Sequence, residues 1–175
     1  MQAAAEYRKP VRLFEKWENR QKVILFADVV GSARLFTTAD NASIGAWLSF
    51  VAYLKDDLLP EHDGRLVKSL GDGILAEIEH ATSAVRFAMR LTTELAKINE
   101  QLPAVNRLQV RIGIDTGDVL TTGDDDIYGS HVNIAARLMS LARPGEIVAS
   151  AEVRDALASE LDAEFEDLGD CHLKN

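Results

Sequence analysis

Hydrophobic and polar positions along the chain follow two rhythms. Residues 22–26, KVILF, form a short apolar run that reads as a strand, and it ends in Ala27-Asp28-Val29-Val30-Gly31. Between residues 40 and 62, Ile44, Leu48, Val51, Leu54 and Leu58 recur at helical spacing, with Asp40 or Asn41 as the N-cap. Residues 65–75, RLVKSLGDGIL, return to a strand pattern and break it twice, at Lys68 and Asp72. Gly71 and Gly73 bracket the aspartate and suit a tight hairpin turn, which puts Asp72 at the tip and Lys68 just before it. The second arm, ILAEIE, alternates as a half-buried strand does. A second helix is predicted over residues 81–102, with Ala84, Phe87, Ala88, Leu91, Leu95 and Ile98 in one stripe and Pro103 as its stop. RLQVRIGI reads as a strand, TGD as a turn and VLTTG as another strand arm. SHVNIAARLMSLA is a third helix, with Ser130 as N-cap and Pro144-Gly145 as the break beyond it. EIVAS, a short helix VRDALASEL and a strand EFEDL complete the pattern.

The order strand, helix, strand-hairpin-strand, helix, strand is the βαββαβ arrangement of ferredoxin-like folds. It predicts an α+β domain with an antiparallel sheet covered on one face by helices. Residues 22–175 read as that one domain. Residues 1–21, anchored by Leu13, Phe14 and Trp17, read as a preamble or short helix and a candidate dimer contact. Folds of this kind host many functions, so function has to be argued from sites.

Composition narrows the choices. The 175 residues include 28 acidic and 19 basic side chains, a net charge of −9. Duplex nucleic acid is a poor partner for such a chain, because counterion release needs a basic face. A small anion held by a local group of cations and a metal is compatible with it. Cys171 is the single cysteine, which excludes a disulfide framework and a thiolate zinc site. No apolar run reaches membrane-spanning length and the first ten residues lack a signal-peptide core, so a cytoplasmic protein is expected.

Two aspartates carry the first chemical argument. Asp28 follows a strand of apolar residues and Asp72 sits at the hairpin tip. Each alone is ordinary turn or cap chemistry. In a βαββαβ sheet the first strand and the hairpin can be neighbours, which would bring both carboxylates to one edge. Two unpaired carboxylates that close repel, and a divalent cation removes the penalty. Hard oxygen ligands without cysteine or clustered histidine favour Mg²⁺, completed by water and phosphate oxygens. His62, His80, His131 and His172 are scattered and share no ligand spacing. On the third helix Asn133 and Arg137 stand i, i+4 and project together between two apolar rows, Val132/Ala136/Met139 and Ile134/Leu138/Leu141. An arginine there can serve phosphate oxygens, although a surface ion pair is the ordinary use of such a residue.

Taken in order, FADVVGS, KSLGDG, RIGIDTGDV, DIYGSHVNIAARL, PGEI and FEDLGDCHLKN resemble the catalytic domain of class III adenylyl/guanylyl cyclases, especially the soluble bacterial type. The resemblance runs from about residue 23 to 175. Each motif is weak alone, and six in order are specific. The resemblance implies that Asp28 and Asp72, with the backbone carbonyl of Val29, hold two ions of Mg²⁺ or Mn²⁺. It implies that Lys68 and Asp126 read the purine and that Asn133 and Arg137 orient the ribose and stabilise the transition state. Arg111 and Lys174 match positions that touch the polyphosphate. It further implies a homodimer in which each site takes its metals from one chain and Asn133, Arg137, Lys68 and Asp126 from the other.

Lys68 donates and Asp126 accepts, which matches the N1 acceptor and N6 amino donor of adenine. Guanine reverses those polarities, and the family's guanylyl cyclases usually place Glu and Cys at the two positions. ATP is therefore the expected substrate. A guanylate cyclase and a non-catalytic nucleotide-binding or dimerisation module are the alternatives. Asp115 departs from the His or Asn many members carry, and His131 lies in the turn into the third helix, close to where phosphates would lie. The chain also ends before the last strand such domains usually contain, so it reads as a fragment or as having lost its C-terminal neighbour, and the resemblance implies an additional regulatory domain in the longer protein.

Overall fold

In the computed structural model, residues 17–33, 41–121, 125–157, 165–169 and 171 are described. Lys174, Asp40, Leu13 and Phe14, singled out above, lie outside them. The first strand, β1 (Glu18–Val29), is longer than its apolar run. Its exposed polar start, Glu18 to Gln21, is held by backbone pairing with β4 (Val110–Thr121), from Glu18 opposite Thr121 to Val29 opposite Val110. A ladder needs only backbone groups, so the apolar run alone underestimates the strand.

After β1 come α1 (Asn41–Tyr53), a π turn (Leu54–Leu58) and a 3-10 turn (Pro60–His62). The hairpin β2 (Gly64–Ser69) and β3 (Gly73–Ile78) precedes α2 (Ala81–Glu100), followed by β4. Then come β5 (Ile127–Tyr128), α3 (Ser130–Leu141), β6 (Ile147–Ala149) and α4 (Ala151–Leu157). The strand order is β2-β3-β1-β4-β5, with β6 parallel to β4. The first four of these strands lie in the order a βαββαβ unit requires, and the α+β expectation is met.

Alternation along β1 sorts the two faces of the sheet. Val23, Leu25, Ala27 and Val29 join Ile112, Ile114, Ile74, Ala76 and Ile78 in a core closed by α1 and α2. Ile24 belongs to a smaller cluster on the other face, with Leu75, Val119 and Ala135 of α3. Helices therefore lie on both faces rather than one. The approach of α3 is close because residue 113 is glycine: a Cβ there would sit 2.2 Å from the Ala135 carbonyl oxygen and the Met139 nitrogen.

Several local expectations are corrected. TGD does not turn. Thr116, Gly117 and Asp118 lie inside continuous β4, paired with Val23, Lys22 and Gln21, because the long partner strand holds them extended. The long helix over residues 40–62 breaks at Leu54, and its buried stripe is Trp47, Phe50, Val51, Leu54 and Leu58, with Leu48 exposed. The aromatic residues, not Leu48, take the core. Ser130 is the first helical residue of α3 rather than its cap; Gly129 holds the cap position and makes no side-chain cap bond. Leu141 is exposed. Residues 165–168 of the expected EFEDL strand pair with nothing in the sheet.

Candidate active site

On the sheet face opposite α1 and α2, polar side chains collect in two places. The first is the end of β1. Asp28 stands opposite Gly73 of β3 and Arg111 of β4. Arg111 donates to Asp28 Oδ2 through Nη2 at 2.9 Å and Nε at 3.3 Å. Asp72 precedes Gly73 at the hairpin tip, as its glycine bracket predicts. Gly71 supplies the left-handed backbone there, φ +86°. Leu70 N–H bonds Gly73 O at 2.7 Å to close the turn. The Trp47 indole N–H bonds Gly71 O at 2.9 Å, and Val29 N–H bonds Asp72 O at 2.9 Å. The Ser32 hydroxyl donates to Asp72 Oδ2. Neither Ser32 nor Trp47 was marked by the sequence reading; a polar residue just after the strand-end glycine is the signal for the first.

This corner holds two carboxylates, Asp28 against the guanidinium of Arg111 and Asp72 against the Ser32 hydroxyl, and its side-chain acceptors are hard oxygens. Among the described residues no three His, Cys, Asp or Glu side chains form a ready-made metal cage. A cation here would rest on Asp28, Asp72 and a main-chain carbonyl such as that of Val29, and would fill its shell with water or phosphate oxygens, the habit of Mg²⁺. The residues present fit such an ion.

The second place is a seam. β2 and β5 are at opposite ends of the strand order, yet Lys68 Nζ donates to Asp126 Oδ2 at 2.6 Å. Arg65 adds to the closure, bonding Glu77 Oε1 at 2.8 Å and Asp125 O at 2.8 Å. The sheet is curled far enough for its two edges to meet. Asp125 adopts φ +62° to present its neighbour, a conformation aspartate tolerates better than most residues. Burial pushes the Asp126 carboxyl up, but the Lys68 ammonium, the Ile127 N–H and the Tyr128 hydroxyl hold it below the ordinary aspartate range. The Lys68 ammonium also lies 5.8 Å from the centre of the Tyr128 ring. Tyr128 and Arg65 escaped the sequence reading, since nothing in the spacing announces a meeting of edges.

Asn133 is exposed and Arg137 half-buried on α3. Among the described residues neither bonds to Asp28, Asp72, Lys68 or Asp126 within one chain. Asp115, buried on β4, accepts from His131 Nδ1 at 2.9 Å. No helix among the described residues is long and apolar enough to cross a membrane.

Comparison with known proteins gives this geometry its context. The Adenylate and Guanylate cyclase catalytic domain family matches residues 15–175. The chain is 32% identical over 161 residues to "Putative adenylate cyclase 3" of Rhizobium meliloti, covering 92% of this chain and 27% of that protein. It is 35% identical over 153 residues to an adenylate cyclase of Streptomyces coelicolor, covering 83% and 38%. The chain thus spans well under half the length of these two relatives. Among solved structures, the "Adenylate/Guanylate Cyclase/Hydrolase" of Silicibacter pomeroyi superposes with a TM-score of 0.81 at 34% identity, covering 91% of this chain and 92% of that one. A match over nearly the whole sequence, on a fold shared with a solved cyclase, shows that this chain belongs to the class III adenylate/guanylate cyclase catalytic domain family.

Proposed function

We propose that the chain is an adenylate cyclase, converting ATP to 3′,5′-cyclic AMP and pyrophosphate in a homodimer with composite sites. The observation that carries this reading is the Lys68–Asp126 pair at 2.6 Å. Two residues 58 positions apart present a donor and an acceptor side by side, as the adjacent N1 and N6 of adenine require. Guanine at the same place would face the wrong polarity, and each polar group left unmatched once the nucleotide covers it would cost about 1–3 kcal/mol.

The remaining roles are those the family resemblance implies. The 3′-hydroxyl oxygen forms a bond to the α-phosphorus, the bond from that phosphorus to the β-bridging oxygen breaks, and pyrophosphate leaves with the electron pair while the hydroxyl proton passes to water. Asn133 orients the ribose, and Arg137 of the partner chain meets charge developing on the α-phosphate oxygens, where a preorganised cation counts most. Arg111, next to Asp28, and Lys174 receive polyphosphate oxygens. Asp28, Asp72 and the Val29 carbonyl would hold two ions of Mg²⁺ or Mn²⁺, which would supply Lewis acidity to the hydroxyl and the phosphates. The named adenylate cyclases among the relatives support the choice of ATP.

The test is direct: purified chain with ATP or GTP and Mg²⁺ or Mn²⁺, products resolved by chromatography. ATP should be preferred by at least about tenfold in kcat/KM. Faster cyclic GMP formation would make the chain a guanylate cyclase, and nucleotide binding without product would make it a binding module.

A further inference from the structure

The pair formed by buried Asp115 and half-buried His131 is used by none of the chemistry above. Asp115 is 2% exposed, in mid β4. His131 is the second residue of α3, and its ring covers Gly117 so closely that a Cβ there would lie 2.3 Å from it. A buried carboxylate is costly unless it is hydrogen-bonded, and His131 Nδ1 answers Asp115 Oδ2 at 2.9 Å. The same helix start packs through Val132 and Ala135 against Ile24, Leu75 and Val119, and no capping bond from Gly129 or acidic side chain in the first turn adds a directional hold.

Further along, α3 is pressed onto Gly113 at Ala135 and Met139, and its end packs through Leu138 and Ala142 against Val148. Such contacts are non-directional and leave the helix free to slide or roll slightly. A hydrogen bond at the N-terminal turn removes that freedom. Asn133 lies two residues beyond His131 and Arg137 one turn further, so the pair sets where both side chains project.

We propose that Asp115 and His131 are a positioning pair that fixes the start and roll of α3 and so places Asn133 and Arg137 for the cyclisation. The inference rests on the adenylate cyclase reading for its kinetic part. The charged groups nearest on the same sheet face are Lys22 of β1, which is opposite Gly117 and paired with Glu79, Glu77 of β3, which is paired with Arg65, and Arg137 of α3 itself. None of these bonds to Asp115 or His131 among the described residues.

The experiment compares three chains of 175 residues, the parent and two variants, by ATP kinetics and by amide hydrogen exchange. His131→Leu fills the space over Gly117 but removes the donor. His131→Asn loses the ring but keeps a donor near the Nδ1 position. With His131→Leu, kcat should fall about tenfold to a hundredfold, as for a misplacement on the order of 1 Å, with KM changed less than about twofold. Exchange should quicken at residues 133–136, whose amides bond back to the first turn, and not at 138–141. His131→Asn should restore kcat to within about threefold of the parent and restore protection. Should His131→Leu fail to fold because it strands a buried carboxylate, Asp115→Ala removes the acceptor without that penalty and carries the same expectation. Unchanged kcat, unchanged exchange, or a His131→Asn variant as impaired as His131→Leu overturns the proposal. If the parent chain makes no cyclic nucleotide, the functional reading fails by that fact, and the exchange comparison still decides whether the pair holds the helix.

Discussion

The two faces of the sheet are made by the same strands and obey different rules. On the face toward α1 and α2, Leu25, Ile112, Ile114, Ile74 and Phe87 are fully buried, and the ionisable groups that reach them, Tyr53 and the His62 ring edge-on to Phe87, come from the covering segments and not from the strands. One residue away along each strand, the other face carries Asp28, Lys22, Arg111, Asp115 and Glu77, each tied to a counter-charge or a histidine. The difference shows how one fold separates stability from chemistry. Period-two alternation lets a strand spend every second residue on packing and leaves the intervening ones to select an ion, a base or a helix position.

The largest effects expected from breaking this division are on the polar face. Asp28→Ala or Asp72→Ala should lower cyclase activity by at least about a hundredfold while far-UV circular dichroism stays that of the parent, since neither residue is in the core. Mixing Asp28→Ala with Arg137→Ala chains should recover roughly a quarter of the parent activity, because half the dimers formed at random are mixed and each holds one intact site. No recovery from demonstrated heterodimers would place the whole site within one chain.

The adjacent pair Leu25 and Phe26 sharpens the contrast between faces. Leu25→Ala should cost about 2–5 kcal/mol of unfolding free energy. Phe26→Ala, on a half-buried residue, should cost about 1–2 kcal/mol. Equal losses in urea melts would mean that the second face is as much a core as the first. At the seam, Lys68→Glu with Asp126→Cys should erode the ATP preference by about tenfold, mainly through lost ATP turnover. Steady-state rates with both nucleotides provide the check.

The smallest effect concerns pH. Asp126 is held below the ordinary aspartate range when folded, so its pairing stabilises the protein above the unfolded carboxyl pKa of about 3.9 and is lost as pH falls through the lower folded value. Between about pH 6 and 8, purine preference should therefore not change on account of Asp126. A preference that titrates in that window would assign the acceptor role elsewhere.

Much of the polar face was legible in the sequence because its residues interrupt patterns. Lys68 and Asp72 break an apolar strand, Asp28 ends one, and two glycines announce the turn between β2 and β3. Local rhythm was a weaker guide where long-range pairing decides. The TGD segment reads as a turn from its residue types, yet twelve ladder partners on β1 hold it extended. Leu48 fits a helical stripe, but the core takes Trp47 and Phe50, whose larger area gains more from burial. Arg65, Trp47 and Tyr128 had no local signature, because their partners are far away in sequence. Asp115 and His131 stood out only as departures from a family pattern, and their meeting at 2.9 Å depends on how α3 lies across β4.

The seam has a further consequence for how the chain avoids other chains. An outer strand with unpaired amides and carbonyls is a template for stray β-pairing and aggregation. Here β5 has two residues, β2 carries a bulge between Leu66 and Lys68, and Arg65 and Lys68 bend the two edges toward each other through Asp125 and Asp126. Short length, a bulge and basic side chains are the devices that blunt an open edge. The lysine proposed to face adenine thus also guards the rim of the sheet, and its replacement is expected to alter solubility as well as substrate choice.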